Sequence, residues 1–417
     1  MLRLYNIIIS LYWLYAHIGF AFSKKAGQWV KGRQNWRNKL NGKINKNDKW
    51  IWFHCSSLGE FEDGRTFIES TRRRYAEVKI LLTFYSPSGY ENMKQYGSAD
   101  LIMYMPFDFK KNVKDFLNIV NPTAVFFIRS EIWMNYVLEI KRREIPFYLI
   151  SLNLNHKSKF IAWPFGRLYS RGFGTFDIIF CQNEMTASIV HSLSGNQNLE
   201  VAGNTRTDRI KEVTDKIYEN EKIENFIGKN YCIVAGSVSL HEEKMIYESM
   251  KKIKNIPVRW IIAPHTINKE RIEKSVRKNS GMVASLSDYT NTGNHKILYI
   301  DCIGILPYVY RYGNMAIVGG GFSKKGIHNI IEPAMYGLPI VFGPNHRNYD
   351  EALEMLANNF ANIYKNSRDL AMSIENFFQH RNDKAFQNEI KKQISSKTGA
   401  TGRIESILNA RLDEVLF

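Results

Sequence analysis

The feature that most constrains this chain is a rhythm of short, nearly continuous apolar runs, each closed by a turn and followed by a helix-like stretch. In the first half the runs fall at 50–55 (WIWFHC), 78–84, 101–105, 124–128, 147–152 and 177–181. The second half repeats the style at 231–235, 258–263, 296–299, 315–318 and 339–342. Strands that are apolar on both faces need cover on both faces, and strands that alternate with helices run parallel. The rhythm therefore predicts an α/β fold built from parallel sheets. Helices are expected from about Glu60, at 86–96, at 110–118 and through 133–143, with a polar linker at 33–49 and a final helix at 395–417. A chain of 417 residues, 44% of them hydrophobic, is long enough for two cores. Two Rossmann-like domains follow, with a boundary expected in the charged stretch 204–230 and ligands expected at the carboxyl ends of the strands.

Charge and cysteine usage narrow the setting. The formal net charge of +17 points to an anionic partner: nucleic acid, a membrane surface or a phosphorylated substrate. The lysines are scattered and no RNA-binding signature or arginine-rich tail stands out, which argues against nucleic acid. Cys55, Cys181, Cys232 and Cys302 form no Cys-x-x-Cys pair or Cys/His cluster, so neither zinc nor a disulfide scaffold is expected, and a reducing cytosolic setting fits. The run 4–22, LYNIIISLYWLYAHIGFAF, is followed by Lys24, Lys25, Lys31 and Arg33. It suggests membrane contact, either spanning or lying in the interface, with the positive residues on the cytoplasmic side; a helix packed on the body is the competing reading. No small-residue cleavage site precedes Lys24, which argues against a signal peptide.

The segment 315–349, MAIVGGGFSKKGIHNIIEPAMYGLPIVFGPNHRNY, joins a strand-like run to a glycine-rich turn and a helix expected from Asn329 to Gly337. A helix start just past a strand favours a phosphate, and Glu332 is placed to accept from a ribose diol. The string resembles the donor-nucleotide motif of the GT-B glycosyltransferases. It is most similar to that of the Kdo transferases, which add 3-deoxy-D-manno-octulosonic acid (Kdo) to lipid A precursors. The match is carried by Gly319-Gly320, Lys324-Lys325-Gly326, His328-Asn329, Glu332-Pro333-Ala334 and Gly343-Pro344; Ile327 departs where a second glycine usually stands.

Further strings resemble the same family in order along the chain. Ser57-Leu58-Gly59-Glu60 resembles its Ser-x-Gly-Glu motif, and the resemblance implies that Glu60 is the general base. From pattern alone, an acid at a helix start also serves the helix dipole. Glu131-Ile132-Trp133 resembles part of Glu-x-Glu-Leu-Trp-Pro-Asn, implying that Glu131 helps shape the acceptor side; Arg129 and Ser130 depart from it. Trp133 reads as core rather than ligand contact. In Gly203-Asn204-Thr205-Arg206-Thr207-Asp208, Arg206 is a candidate cation for an anionic substrate. Ala235-Gly236-Ser237 resembles the turn opening the second domain, where Ser237 either caps a helix or bonds phosphate. His265 follows Ala263-Pro264, where many relatives have Pro-Arg-His, so the arginine is missing. Lys324 and Lys325 are candidates for the donor's carboxylate or phosphate, and Ser86-Pro87-Ser88-Gly89 reads as architecture.

The resemblance implies the GT-B fold, two Rossmann-like domains with parallel sheets facing a central cleft, plus an N-terminal membrane-associated helix. It divides the chain into a membrane-anchoring segment 1–33, an acceptor domain 34–210, a donor nucleotide-binding domain 211–395, and a helix 396–417 returning to the first domain. The implied donor is CMP-Kdo and the implied acceptor a lipid A precursor at the anionic cytoplasmic face of the inner membrane. Ser57, Glu131 and Arg206 serve the acceptor; Ser237, His265, Gly319, Gly320, Lys324, Lys325, His328, Asn329 and Glu332 serve the donor. The chain has no Asp-x-Asp, and no metal or cofactor is expected. A GT-B transferase using a UDP- or GDP-sugar on another membrane glycolipid and a basic, non-catalytic nucleotide- or nucleic-acid-binding protein are the alternatives.

Overall fold

The computed structural model describes residues 1–19, 23–45, 47–155, 158, 166–253, 256–279, 281–291, 294–347 and 349–417. The chain forms two compact units: Met1–Arg209 with Thr398–Phe417, and Ile210–Lys397.

The first unit holds a seven-stranded sheet: β1 (Trp50–Cys55), β2 (Lys79–Phe84), β3 (Leu101–Tyr104), β4 (Ala124–Ile128), β5 (Phe147–Leu152), β6 (Ile178–Cys181) and β7 (Leu199–Val201). Their order is β3-β2-β1-β4-β5-β6-β7, and every pairing is parallel. Alternation along β1 splits its residues between two cores. Trp50 and Trp52 join one, with Phe127 and Leu81; Ile51, Phe53 and Cys55 join the other, with Phe126 and Leu82. The second core is closed by the helix Ala400–Leu416, whose Ile404, Leu408, Leu412 and Leu416 recur every four residues and are all buried. Asp208 fixes the start of that helix by accepting from the backbone N–H groups of Gly399 and Thr401, both at 2.6 Å.

The N-terminal run is a helix, Leu2–Ile18, that buries Tyr5 and Ile9 against the first core. Its other side exposes Leu4, Ile7, Leu11, Leu14 and Ile18, a stripe at alternating spacings of three and four. Among the described residues no helix is long and apolar enough to cross a membrane; the end of the run, 20–22, lies outside them. The expected linker at 33–49 is corrected: Trp36–Asn41 is helical, and Trp36 and Leu40, one turn apart, are buried.

The second unit holds β8 (Tyr231–Val238), β9 (Val258–Pro264), β10 (Val283–Ser285), β11 (Ile297–Tyr299), β12 (Met315–Val318), β13 (Ile340–Phe342) and β14 (Ala361–Ile363). The order is β10-β11-β9-β8-β12-β13-β14, again wholly parallel. In each sheet the connections reverse direction beside the first strand, between β1 and β4 and between β8 and β12. Loops leaving the carboxyl ends of such strand pairs diverge and leave room for a ligand.

Candidate active site

At the first reversal, β1 ends in Ser56-Ser57 and the helix Leu58–Arg74 begins. Glu60, in its first turn, accepts from the backbone N–H of Ser56 at 2.5 Å and of Ser57 at 3.2 Å, both on Oε2. Ser57 thus meets Glu60 through its backbone. Glu60 is mostly buried, and burial together with the nearby Glu131 raises its pKa to about 8, against the lowering effect of the two N–H groups and Arg129.

Glu131 follows β4 in the loop before the helix Met134–Arg142. Its Oε2 accepts from Trp133 Nε1 at 2.6 Å and lies 3.8 Å from His54 Nε2. Trp133 is half-buried and stacks on Tyr85 with ring centroids 4.3 Å apart, so it serves both the core and the carboxylate. Arg129 sits at φ 66°, a strained backbone for a residue with a Cβ, and its Nε reaches the buried Asp63 at 2.5 Å. Arg206 lies in the first turn of the helix Thr205–Asp215, beside Thr205, whose hydroxyl bonds the backbone oxygen of Asp63. One unit therefore brings Ser57, Glu60, Glu131 and Arg129 to the ends of β1 and β4, with Arg206 on a helix tied to Asp63. His54 and Asp63 escape sequence reading because they are polar residues hidden in an apolar run and inside a helix.

The second reversal gathers residues expected to serve the donor. Gly319 approaches β8 so closely that a Cβ there would lie 2.2 Å from the Ser237 backbone oxygen, and Gly320 takes φ 95°. The buried Glu242 ties the two loops, accepting from Ser239 N–H at 2.7 Å and Gly320 N–H at 2.9 Å. His328 donates its backbone N–H to Gly319 at 2.8 Å, and its ring stacks on His265, just past β9, with centroids 4.6 Å apart. Burial, His265 and Lys325 hold the His328 imidazole below its usual pKa. Lys324, Gly326, Pro344, Asn345 and Arg347 line a cavity of about 520 Å³. Arg347 is a cation the sequence reading missed, and its one signal is its place after Gly343-Pro344.

Two expectations are corrected here. β8 runs to Val238 rather than 235, so the next helix is capped by Ser239, not Ser237; Ser237 instead sits half-buried at φ 54°. The helix expected from Asn329 is only Ile331–Met335. Asn329 precedes it, accepting from Ile331 N–H at 3.0 Å and donating to Glu332 Oε1 at 2.9 Å. So short a helix offers little dipole, and the amides near Gly319 to Gly321 belong to loops. Among the described residues no group of three or more His, Cys, Asp or Glu is placed to hold a metal ion.

The family described as 3-deoxy-D-manno-octulosonic-acid transferase (kdotransferase) matches residues 32–209, which include the whole Glu60 and Glu131 region. A 3-deoxy-D-manno-octulosonic acid transferase of Aquifex aeolicus is 26% identical over 78% of this chain and 84% of its own length. By sequence the chain is similar to the Kdo transferases. A bifunctional glycosyltransferase/methyltransferase of Fusobacterium nucleatum is also 26% identical over 81% of the chain, which spans 54% of that longer protein. Among solved structures, a UDP-GlcNAc 2-epimerase of Neisseria meningitidis bound to UDP-GlcNAc matches with TM-score 0.59 at 16% identity, covering 87% of this chain and 100% of its own; that likeness shows the shared α/β fold.

Proposed function

We propose that the protein is an inverting Kdo transferase of the GT-B type that moves Kdo from CMP-Kdo to a hydroxyl of a lipid A precursor. The observation that carries this reading is Glu60: a carboxyl at the end of β1 with a pKa raised to about 8, inside the segment that matches the Kdo transferases. A base is most effective when its pKa lies near the working pH. Both backbone hydrogen bonds fall on Oε2, which leaves Oε1 for the acceptor's proton.

In this mechanism Glu60 takes the proton of the acceptor hydroxyl as its oxygen attacks the anomeric carbon of Kdo. The bond from that carbon to the phosphate oxygen of CMP breaks with its electron pair, and CMP departs from the opposite face. Attack opposite the leaving group inverts the anomeric centre. In the second unit Ser237, Gly319, Gly320, His328 and Asn329 take the nucleotide, and Lys324, Lys325 and Arg347 offer positive charge to the departing phosphate or the sugar's carboxylate. CMP leaves with a single phosphate, so this step asks for no metal.

The acceptor of this reaction is an amphipathic, phosphorylated lipid. The exposed stripe of the helix Leu2–Ile18 and the net charge of +17 support a place on the anionic cytoplasmic face of the inner membrane, with the helix lying in the interface rather than crossing it.

The test is transfer in detergent by purified protein given CMP-Kdo and a tetraacyl lipid A precursor, with EDTA present. Product from wild type, blocked by CMP better than by UDP and lost in Glu60→Gln, supports the reading. A protein that transfers only from UDP- or GDP-sugars would refute the donor.

A further inference from the structure

His54 is wholly buried at the end of β1, paired in the sheet with Thr83 and Phe127. Its Nδ1 lies 2.9 Å from Thr83 Oγ1, which accepts the indole N–H of Trp52 at 2.8 Å. The Thr83 hydroxyl hydrogen then has two destinations: His54 Nδ1 at 2.9 Å or the Phe53 carbonyl at 3.4 Å. The shorter contact is the better hydrogen bond. Giving the hydrogen to Nδ1 makes it the acceptor and places the ring proton on Nε2. That nitrogen is buried without a hydrogen-bond partner and lies 3.8 Å from Glu131 Oε2. The opposite tautomer would aim a lone pair at a carboxylate and leave the Thr83 hydroxyl its longer bond.

We propose that His54 is a positioning residue for the transfer reaction: its Nε2–H, set by Thr83, is aimed at Glu131 and holds that side chain in place beside Glu60. The proposal rests on the transferase reading given above. Glu131 is faced by His54 and Cys55 from β1, by Glu60 from the following helix, by Trp133 from its own loop, and by Tyr85 and Tyr169. Arg129, the nearby cation, is engaged by Asp63. Trp133 Nε1 donates to Glu131 Oε2, and His54 Nε2 approaches the same oxygen. An ionised Glu131 makes Glu60 harder to ionise and therefore a stronger base. Without the imidazole N–H, Glu131 is no longer held against Glu60, so Glu60 ionises at lower pH and pulls the acceptor's proton less well.

In His54→Leu the rising limb of kcat/KM against pH is expected to move down by at least half a unit, with a lower plateau. His54→Gln, whose amide can donate, should restore both in part. In a Glu131→Gln background His54→Leu should shift nothing further. An unmoved limb, or an equal shift with Glu131 already neutral, would overturn the proposal. Two measurements on protein with the native His54 hold if the leucine variant does not fold. The 15N shifts of the ring should report the Nε2–H tautomer, and the 13C titration of the Glu60 carboxyl should move to lower pH in Glu131→Gln; an Nδ1–H ring or an unmoved Glu60 would refute it. Absence of transfer by the wild type would instead count against the transferase reading, because these spectra do not depend on activity.

Discussion

Glu60 combines two tasks that usually conflict. Accepting two backbone N–H groups stabilises its charged form, while burial and Glu131 oppose it, and the opposition prevails. Because the base must be ionised, transfer should rise with pH through about 8. Glu131→Gln removes one raising cause, so that limb should move to lower pH in a kcat/KM profile; a limb displaced upward would contradict the coupling. Glu60→Gln should lower kcat by roughly 10²–10⁴-fold with little change in CMP binding, measured by single-turnover transfer and by calorimetry. The two acids were legible because they stand in motifs at strand ends. Their supports were not: His54 and Asp63 are buried, and their partners, Thr83 and Glu131 for the first and Arg129 and Thr205 for the second, lie far along the chain, where no spacing announces them. Ser237 was legible as a turn residue, but its helix-capping alternative fails because the strand runs three residues on.

At the scale of elements, eleven of the strands could be read from apolar runs, and the three that could not, Leu199–Val201, Val283–Ser285 and Ala361–Ile363, are all sheet edges. An edge strand of three residues lacks the length that makes a run visible, and Leu199–Val201 and Ala361–Ile363 are partly exposed as well. The stretch 33–49 looked polar because a single helical turn buries only Trp36 and Leu40. The motif ending in Asp208 has a structural meaning within the first unit: its carboxylate accepts the two amides that open the helix Ala400–Leu416. Asp208→Ala should cost about 1–3 kcal/mol, since a mostly buried cap loses both bonds at once. Urea unfolding monitored in the first unit's tryptophans would show it as a lower midpoint with an unchanged slope. Asp208→Asn should recover part of the loss, because its one carbonyl oxygen can still accept.

For the whole molecule, the charge of +17 and the apolar stripe at the N-terminus act on different ranges, and the difference can be measured. Charge attracts the protein to an anionic surface across about one Debye length, roughly 8 Å at physiological salt, and weakens as salt is added. The stripe of Leu4, Ile7, Leu11, Leu14 and Ile18 acts only on contact and is indifferent to salt. Binding to vesicles containing anionic lipid should therefore fall with salt but level off above zero, and vesicles of neutral lipid should show only the residual part. Ile7→Glu combined with Leu14→Glu leaves the buried Tyr5 and Ile9 in place, so the body should stay folded while the residual part drops by roughly tenfold or more. Sedimentation with vesicles reads both components. If salt alone abolished binding and the double substitution changed nothing, the N-terminal helix would be a packing element of the first unit, and charge alone would account for binding to anionic vesicles.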